Sequence, residues 1–258
     1  MYAEGIIMEF SHSRLDVARK CMKQFYLKYI LKLKVDEDTD PTEYGNLIHE
    51  IAQNYNGGGK ETLKNLYKKY RNNYKFDNKK YKKKIKLALK NIHDFWKINL
   101  KDQNFVPEQE IKTKINDEIE LNGNVDIIIF KDDYVRIIDY KTNKSTKYAD
   151  HTNQLAMYKI LVNKKYNIPF EKMKCEIVYL SLDEEDKTGK KILNEGYKNI
   201  SKPYNVDESD IDVLIEEIES IKHRIDRSTK SGIWKENPTW FNCTYCAFSG
   251  QCDKKYTK

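Results

Sequence analysis

NGNVDIIIFKDDYVRIIDYKT, residues 122–142, decides the fold of this chain. Two apolar runs, 125–130 and 134–140, flank Asp132-Asp133, a turn signal. Both alternating sets of side chains in each run are apolar, the pattern of central strands covered on both faces. A hairpin turning there places Asp126 directly opposite Asp139. Two facing carboxylates in so apolar a pair are costly unless something positive neutralises them. Lys141, two residues after Asp139, lies on the same face. Either a divalent cation completes the neutralisation, or the set is a buried Asp–Lys pair with one carboxylate protonated.

Outward from the hairpin, the period changes at Val106, and the stretch from there to Thr142 reads as three successive strands with turns near Asn116-Asp117 and Asp132-Asp133. From Asp150 the period becomes helical through Leu155, Tyr158 and Leu161. Residues 175–182 read as another buried strand, 191–200 as an edge strand, and Ile211, Leu214, Ile218, Ile221 and Ile225 as a helical stripe. Before the hairpin, Ser13 reads as a helix cap, with Leu15, Ala18, Met22, Phe25, Tyr29 and Leu33 continuing one helix of about five turns. Residues 36–41 break it. A second helix carrying Leu47, Ile48 and Ile51 starts after Gly45, and Gly57-Gly58-Gly59 marks a flexible joint. The order predicts a mixed α/β (α+β) sheet core with helical additions rather than a regular βαβ array.

The 258 residues carry a net charge of +7, unevenly placed. Residues 60–101 hold 15 Lys/Arg against 3 Asp/Glu, a local +12, so the excess sits in one segment and suits an acidic partner approached from one side. Tyr81, Ile85, Leu89, Ile92 and Phe95 recur at helical spacing within it, which equally describes a helix with a solvated lysine face. No apolar stretch approaches the roughly 20 residues that span a bilayer. The first ten residues lack a signal-peptide pattern, and five cysteines are too few for a disulfide framework. Composition therefore points to an intracellular, cytoplasmic protein. No G-x-x-x-x-G-K-[ST] loop is present, so any unwinding would come from a partner.

Gly123-Asn124-Val125-Asp126, Asp139-Tyr140-Lys141-Thr142 and Gln154-Leu155-Ala156-Met157-Tyr158, with Gly45-Asn46-Leu47-Ile48-His49 upstream, resemble the successive motifs of PD-(D/E)XK nucleases of the RecB type. The resemblance implies a restriction-endonuclease-like core over one nuclease domain, 1–258. Its parts would be an N-terminal helical region (11–105), a catalytic sheet and helix (106–182) and a C-terminal helix with cysteines (183–258). It implies that His49, Asp126, Asp139 and the Tyr140 carbonyl hold Mg²⁺ or Mn²⁺, that Lys141 orients water or stabilises the scissile phosphate, and that Gln154 and Tyr158 line the site. Glu108 and Glu110 are candidates from the first strand. The implied activity is metal-dependent DNA exonuclease action on single strands or duplex ends. Recombination, repair, phage DNA processing and CRISPR adaptation are equally compatible pathways, with a helicase, recombinase or adaptation complex as possible partner. The alternatives are a structure-selective endonuclease and a non-catalytic DNA-binding scaffold. On this reading the 60–101 segment tracks DNA, and Tyr67, Tyr70, Tyr74 and Tyr81 are candidates to stack on bases.

Cys243-x₂-Cys246-x₅-Cys252 supplies three thiols, and Cys21 is the candidate fourth. Spacing alone admits zinc or an iron–sulphur cluster. The arrangement is similar to the iron–sulphur nucleases of the same superfamily, the AddB nuclease domain and the RecB-like exonucleases of CRISPR adaptation, and so implies a 4Fe–4S cluster. Met22 stands where those proteins usually have proline. Cys175 reads as a small core hydrophobe.

Overall fold

The computed structural model describes residues 7–35, 39–143, 150–182, 201–244 and 246–252. They form two compact units. One comprises the described residues within Met1–Glu37, Lys112–Gly123 and Glu208–Lys258, the other those within Asp38–Ile111 and Asn124–Asp207.

Six strands, β1 (Met8–Phe10), β2 (Asn104–Lys114), β3 (Ile119–Phe130), β4 (Val135–Lys141), β5 (Met173–Tyr179) and β6 (Ser201–Tyr204), pair in the order β1-β3-β4-β5-β6, with β2 also on β3. β1 runs parallel to β3, β3 antiparallel to β4, β4 parallel to β5 and β5 antiparallel to β6. This is the mixed sheet expected from the sequence. Asn116 Oδ1 accepts the backbone N–H groups of Glu118 and Ile119, and Lys131 N–H bonds Tyr134 O at 3.0 Å, so both hairpin turns fall where the sequence puts them. The edge strand is β6; the stretch 191–200 expected to form it lies outside the described residues.

In the second of these units, Ile127, Ile129, Ile138, Tyr140, Val178 and Leu180 belong to one apolar cluster with residues of α3 (Asp40–Asn54), α4 (Gly59–Tyr70) and α5 (Asn78–Phe95). The pleat turns Asp126, Ile128, Ile137 and Asp139 the other way, and Asp139 meets α6 (Thr152–Tyr166), which packs on β4. Residues 155–162 of α6 are all buried, so this helix has no solvated stripe. Lys159 is accommodated there by donating to Val206 O at 2.6 Å. The parallel β4–β5 pair is tied by Arg136, whose Nε and Nη2 grip the Glu176 carboxylate at 2.6 and 2.9 Å.

In the cysteine-bearing unit, α1 (His12–Lys20) packs on α7 (Glu208–Ser231), joined by a two-pronged contact of Arg19 with Glu217 at 2.7 and 2.6 Å. Tyr26 stacks on Trp234, with ring centroids 4.7 Å apart.

The helical additions differ from expectation at four places. Ser11, not Ser13, caps α1, accepting Arg14 N–H. The five-turn helix is broken at Cys21, whose backbone is extended (φ −163, ψ 117), into α1, α2 (Met22–Phe25) and a π turn at Tyr26–Ile30. Pro41 does not break a helix but starts one. It lies in the first turn of α3, where its missing N–H has no helical partner to lose. The glycine run is a defined turn rather than a flexible joint. Gly57, Gly58 and Gly59 all have positive φ, and a Cβ on Gly57 would sit 2.7 Å from the Trp96 ring.

Candidate active site

The register Ile127↔Ile138, Ile128↔Ile137, Ile129↔Arg136 and Phe130↔Val135 carries one step further to put Asp126 opposite Asp139. Asp126 and Asp139 are 6 % and 2 % exposed, so neither carboxylate has water enough to carry its charge alone. Their compensation is visible atom by atom. Asp126 Oδ2 accepts the Tyr140 backbone N–H at 2.7 Å, and Oδ1 lies 3.0 Å from His49 Nδ1. Asp139 Oδ1 accepts Gln154 Nε2 at 2.7 Å and the Tyr158 hydroxyl at 3.2 Å. Asp139 Oδ2 is ion-paired with Lys141 Nζ at 2.7 Å. Gln154 is the hub: its Oε1 accepts Lys141 Nζ at 2.8 Å while its Nε2 also donates to Tyr158 Oη at 2.9 Å.

Gln154 and Tyr158 are four apart on α6 and so share a face. Tyr140 contributes its backbone N–H, while its side chain is core, edge-on to Phe95 and His49. All seven residues expected in the site, His49, Asp126, Asp139, Tyr140, Lys141, Gln154 and Tyr158, line one cleft of about 520 Å³.

Asn46, Glu50, Gln53, Tyr74 and Asn124 also line this cleft and were not expected there as site residues. On α3, Asn46, His49, Glu50 and Gln53 repeat at three- and four-residue spacing opposite the buried face of Tyr44, Leu47, Ile48 and Ile51. That polar stripe was the readable signal. Glu108 reaches the cleft and Glu110 is not among its lining residues. Glu108 adopts a positive φ of 25°, in β2, a conformation that a non-glycine residue keeps only when its surroundings impose it. Of the tyrosines proposed to stack on bases, Tyr70 and Tyr81 are buried in the core, Tyr67 is half-buried, and Tyr74 faces the cleft.

The electrostatics follow from burial and crowding. Burial pushes Asp139 up to about 6, against the pull of Lys141 and with a further push from Asp126. Glu108 is raised by burial and then by Asp126. Burial lowers His49, but the charge and hydrogen bond of Asp126 outweigh it and the net direction is up. Tyr158 is held far above the ordinary phenol range by burial and then by Asp139, so it stays a donor. A carboxyl whose pKa is higher folded than unfolded binds its proton more tightly when folded. Its contribution is complete below about 4 and is lost as pH climbs through about 6. The unfolding free energy of chelator-treated protein is therefore expected to fall across that window. Urea titrations at stepped pH should show the slope reduced in Asp139→Asn; an unreduced slope would refute the assignment.

Two buried carboxylates and an imidazole form a donor set suited to a hard divalent cation. Among the described residues, no three His, Cys, Asp or Glu side chains converge tightly enough to hold an ion as they stand. In the active site the donors engage one another: His49 holds Asp126 and Lys141 holds Asp139. The model of the PD-(D/E)XK nuclease superfamily matches residues 9–253. The chain belongs to that superfamily. The six-strand mixed sheet is consistent with the restriction-endonuclease-like core of that superfamily.

Among solved structures, a protein of Eubacterium rectale described as a candidate exonuclease is similar over 96 % of this chain and 90 % of its own, with 12 % identity and a TM-score of 0.59. A protein named SSO0001 aligns over 100 % of this chain and 90 % of its own at 17 % identity and a TM-score of 0.44. The former likeness is one of fold. No match was found among curated proteins. No helix among the described residues is long and apolar enough to cross a membrane.

Proposed function

We propose that this nuclease is a divalent-metal-dependent DNA exonuclease acting on single strands or duplex ends. The observation that carries the reading is the pair of buried carboxylates, Asp126 and Asp139, facing each other beside Lys141 in one cleft. A pure binding protein gains nothing from such a pair, since apolar replacements would often stabilise it, which argues against the scaffold alternative. The fold neighbour described as a candidate exonuclease supports end-dependence. The family match from 9 to 253 supports one nuclease domain built from both units.

Asp126, Asp139, His49 and the Tyr140 carbonyl would hold Mg²⁺ or Mn²⁺. When bound, the metal supplies Lewis-acid polarisation of the phosphodiester and a water of lowered pKa. Gln154 and Tyr158 fix the Asp139 carboxylate in place. Lys141, held by Gln154 Oε1, presents its ammonium where a scissile phosphate would lie beside the acids and orients the attacking water.

Cys21, Cys243, Cys246 and Cys252 line a single cavity of about 320 Å³ in the cysteine-bearing unit. Burial and then the neighbouring thiols raise Cys246. That all four thiols line one cavity supports them as joint ligands of a 4Fe–4S cluster, with zinc as the alternative. Its role would be structural, tying the C-terminal tail to the first helices.

The test is a time course on end-labelled linear and closed circular DNA, single- and double-stranded, with Mg²⁺ or Mn²⁺ and Asp139→Ala as control. Loss of linear substrate alone, absent in the control, is expected. Cutting of circles would replace the reading with a structure-selective endonuclease, and metal-independent binding without cleavage would replace it with a scaffold.

A further inference from the structure

The antiparallel pair α4–α5 carries a groove of about 860 Å³ that shares no lining residue with the catalytic cleft. Its floor is aliphatic: Leu63 from α4, with Ile85 and Leu89 from α5. Tyr67 closes one end, where its hydroxyl donates to Asn78 Oδ1 at 3.3 Å. His93 closes the other, its Nδ1 2.7 Å from the Tyr55 hydroxyl that also accepts Gly59 N–H. Gly59 belongs to the glycine turn that reverses the chain from α3 into α4, so both ends of the groove are fixed by hydrogen bonds.

The banks are basic. On α5, Lys79, Lys82, Lys86 and Lys90 line the groove at intervals of three, four and four residues, a single helix face. Lys60 and Lys64 line it from α4. Of these six, Lys64 pairs with Glu61 at 3.2 Å and Lys90 with Asp94 at 3.2 Å; all six are exposed. Six of the fifteen Lys/Arg of residues 60–101 thus flank an apolar trough, with Asp94 also in the lining.

We propose that this groove docks an acidic amphipathic helix of a partner protein. The floor and banks together choose the occupant. The interval from Asn78 to His93 spans about 22 Å, or four helical turns, and a helix of that length fits along it. Such a helix would set an apolar stripe on Leu63, Ile85 and Leu89. It would present Glu or Asp to the lysine row at the same three- and four-residue period. A nucleic-acid strand is the competing anionic occupant. Stacked bases need aromatic faces along the track, and here the floor between the ends is aliphatic, with Tyr67 and His93 only at the ends. The lysine-rich segment therefore recruits, on this face, a protein rather than the DNA substrate. This inference stands independently of the exonuclease reading.

The probe is a fluorescent peptide of about 15 residues, with Leu at i, i+3, i+4 and i+7 and Glu on the flanks, measured by anisotropy against the full-length protein. A control of identical composition has the leucine order scrambled. The ordered peptide is expected to bind, with the scrambled one weaker by at least about tenfold. Lys82→Glu with Lys86→Glu, both exposed, is expected to weaken the ordered peptide by at least about tenfold while the thermal melt is unchanged. Equal binding of both peptides, or none, overturns the proposal. So does a labelled single-stranded oligonucleotide that loses more affinity than the peptide in the double variant, which would give the groove to nucleic acid. Wild-type self-association seen by light scattering and abolished in the variant would give it to a second copy of this chain.

Discussion

Asp126→Asn is expected to lower phosphodiester cleavage on the order of 10³-fold while leaving the fold intact. The geometry separates the two consequences. Asp126 Oδ2 accepts the Tyr140 N–H, and an amide oxygen can keep that bond. The new NH₂ group then faces His49 Nδ1, which in its neutral tautomer accepts it. What disappears is the negative charge, and with it one of the two acids proposed to hold the metal. Removing one of two facing buried carboxylates also relieves their repulsion, so the melting temperature of chelator-treated protein should stay level or rise. His49, raised by Asp126, should titrate lower in the variant, and its imidazole NMR signals would report this. Cleavage within tenfold of wild type would remove Asp126 from the site. A collapse of the melt would show instead that its role is structural.

The second large effect concerns the cysteine-bearing unit. Anaerobically purified wild-type protein is expected to be brown, with about four iron atoms per chain, and Cys243→Ser to be colourless. Bound metal groups contribute folding free energy directly. Losing about 4 kcal/mol would lower the melting temperature by roughly 10 °C in a chain of this size. Cys175→Ser is the control. Cys175 is buried in β5, its thiol pushed up to about 12 by burial, and it does not line the cysteine cavity. That variant should lose some stability and keep its iron. Stoichiometric zinc in a colourless wild type would replace the cluster with a single ion and leave the nuclease reading standing.

The sheet was legible because its evidence is local and redundant. Residues 125–130 and 134–140 are apolar on both faces, the turn residues sit between them, and the register follows by counting. The same counting brought Asp126, Asp139 and Lys141 together. His49, Gln154 and Tyr158 came from the family resemblance, because nothing in a lone helical histidine says which sheet residue it will meet. Helix ends were less legible. Pro41 serves as a starter or a breaker depending on where the first turn falls, and the sequence pattern does not choose. The break at Cys21 carries no glycine or proline. One extended residue leaves the apolar phase of Leu15, Ala18, Met22 and Phe25 intact, so periodicity runs straight through it. Nineteen tyrosines offered many candidate stacking faces, and Tyr70 and Tyr81 were claimed by the core.

The interleaving of the two units has a consequence for how the chain is made. Translation delivers residues in order, and domains tend to fold as units while it proceeds. The unit that holds the proposed site has its last residue, Asp207, in hand before α7 begins. The other unit then holds only its first segment and the short stretch Lys112–Gly123. It still waits for Glu217 to meet Arg19, for Trp234 to meet Tyr26, and for three of the four cavity cysteines. A ribosome stalled just beyond Asp207 would hold a chain with every residue of the proposed site present and the cysteine cavity unmade.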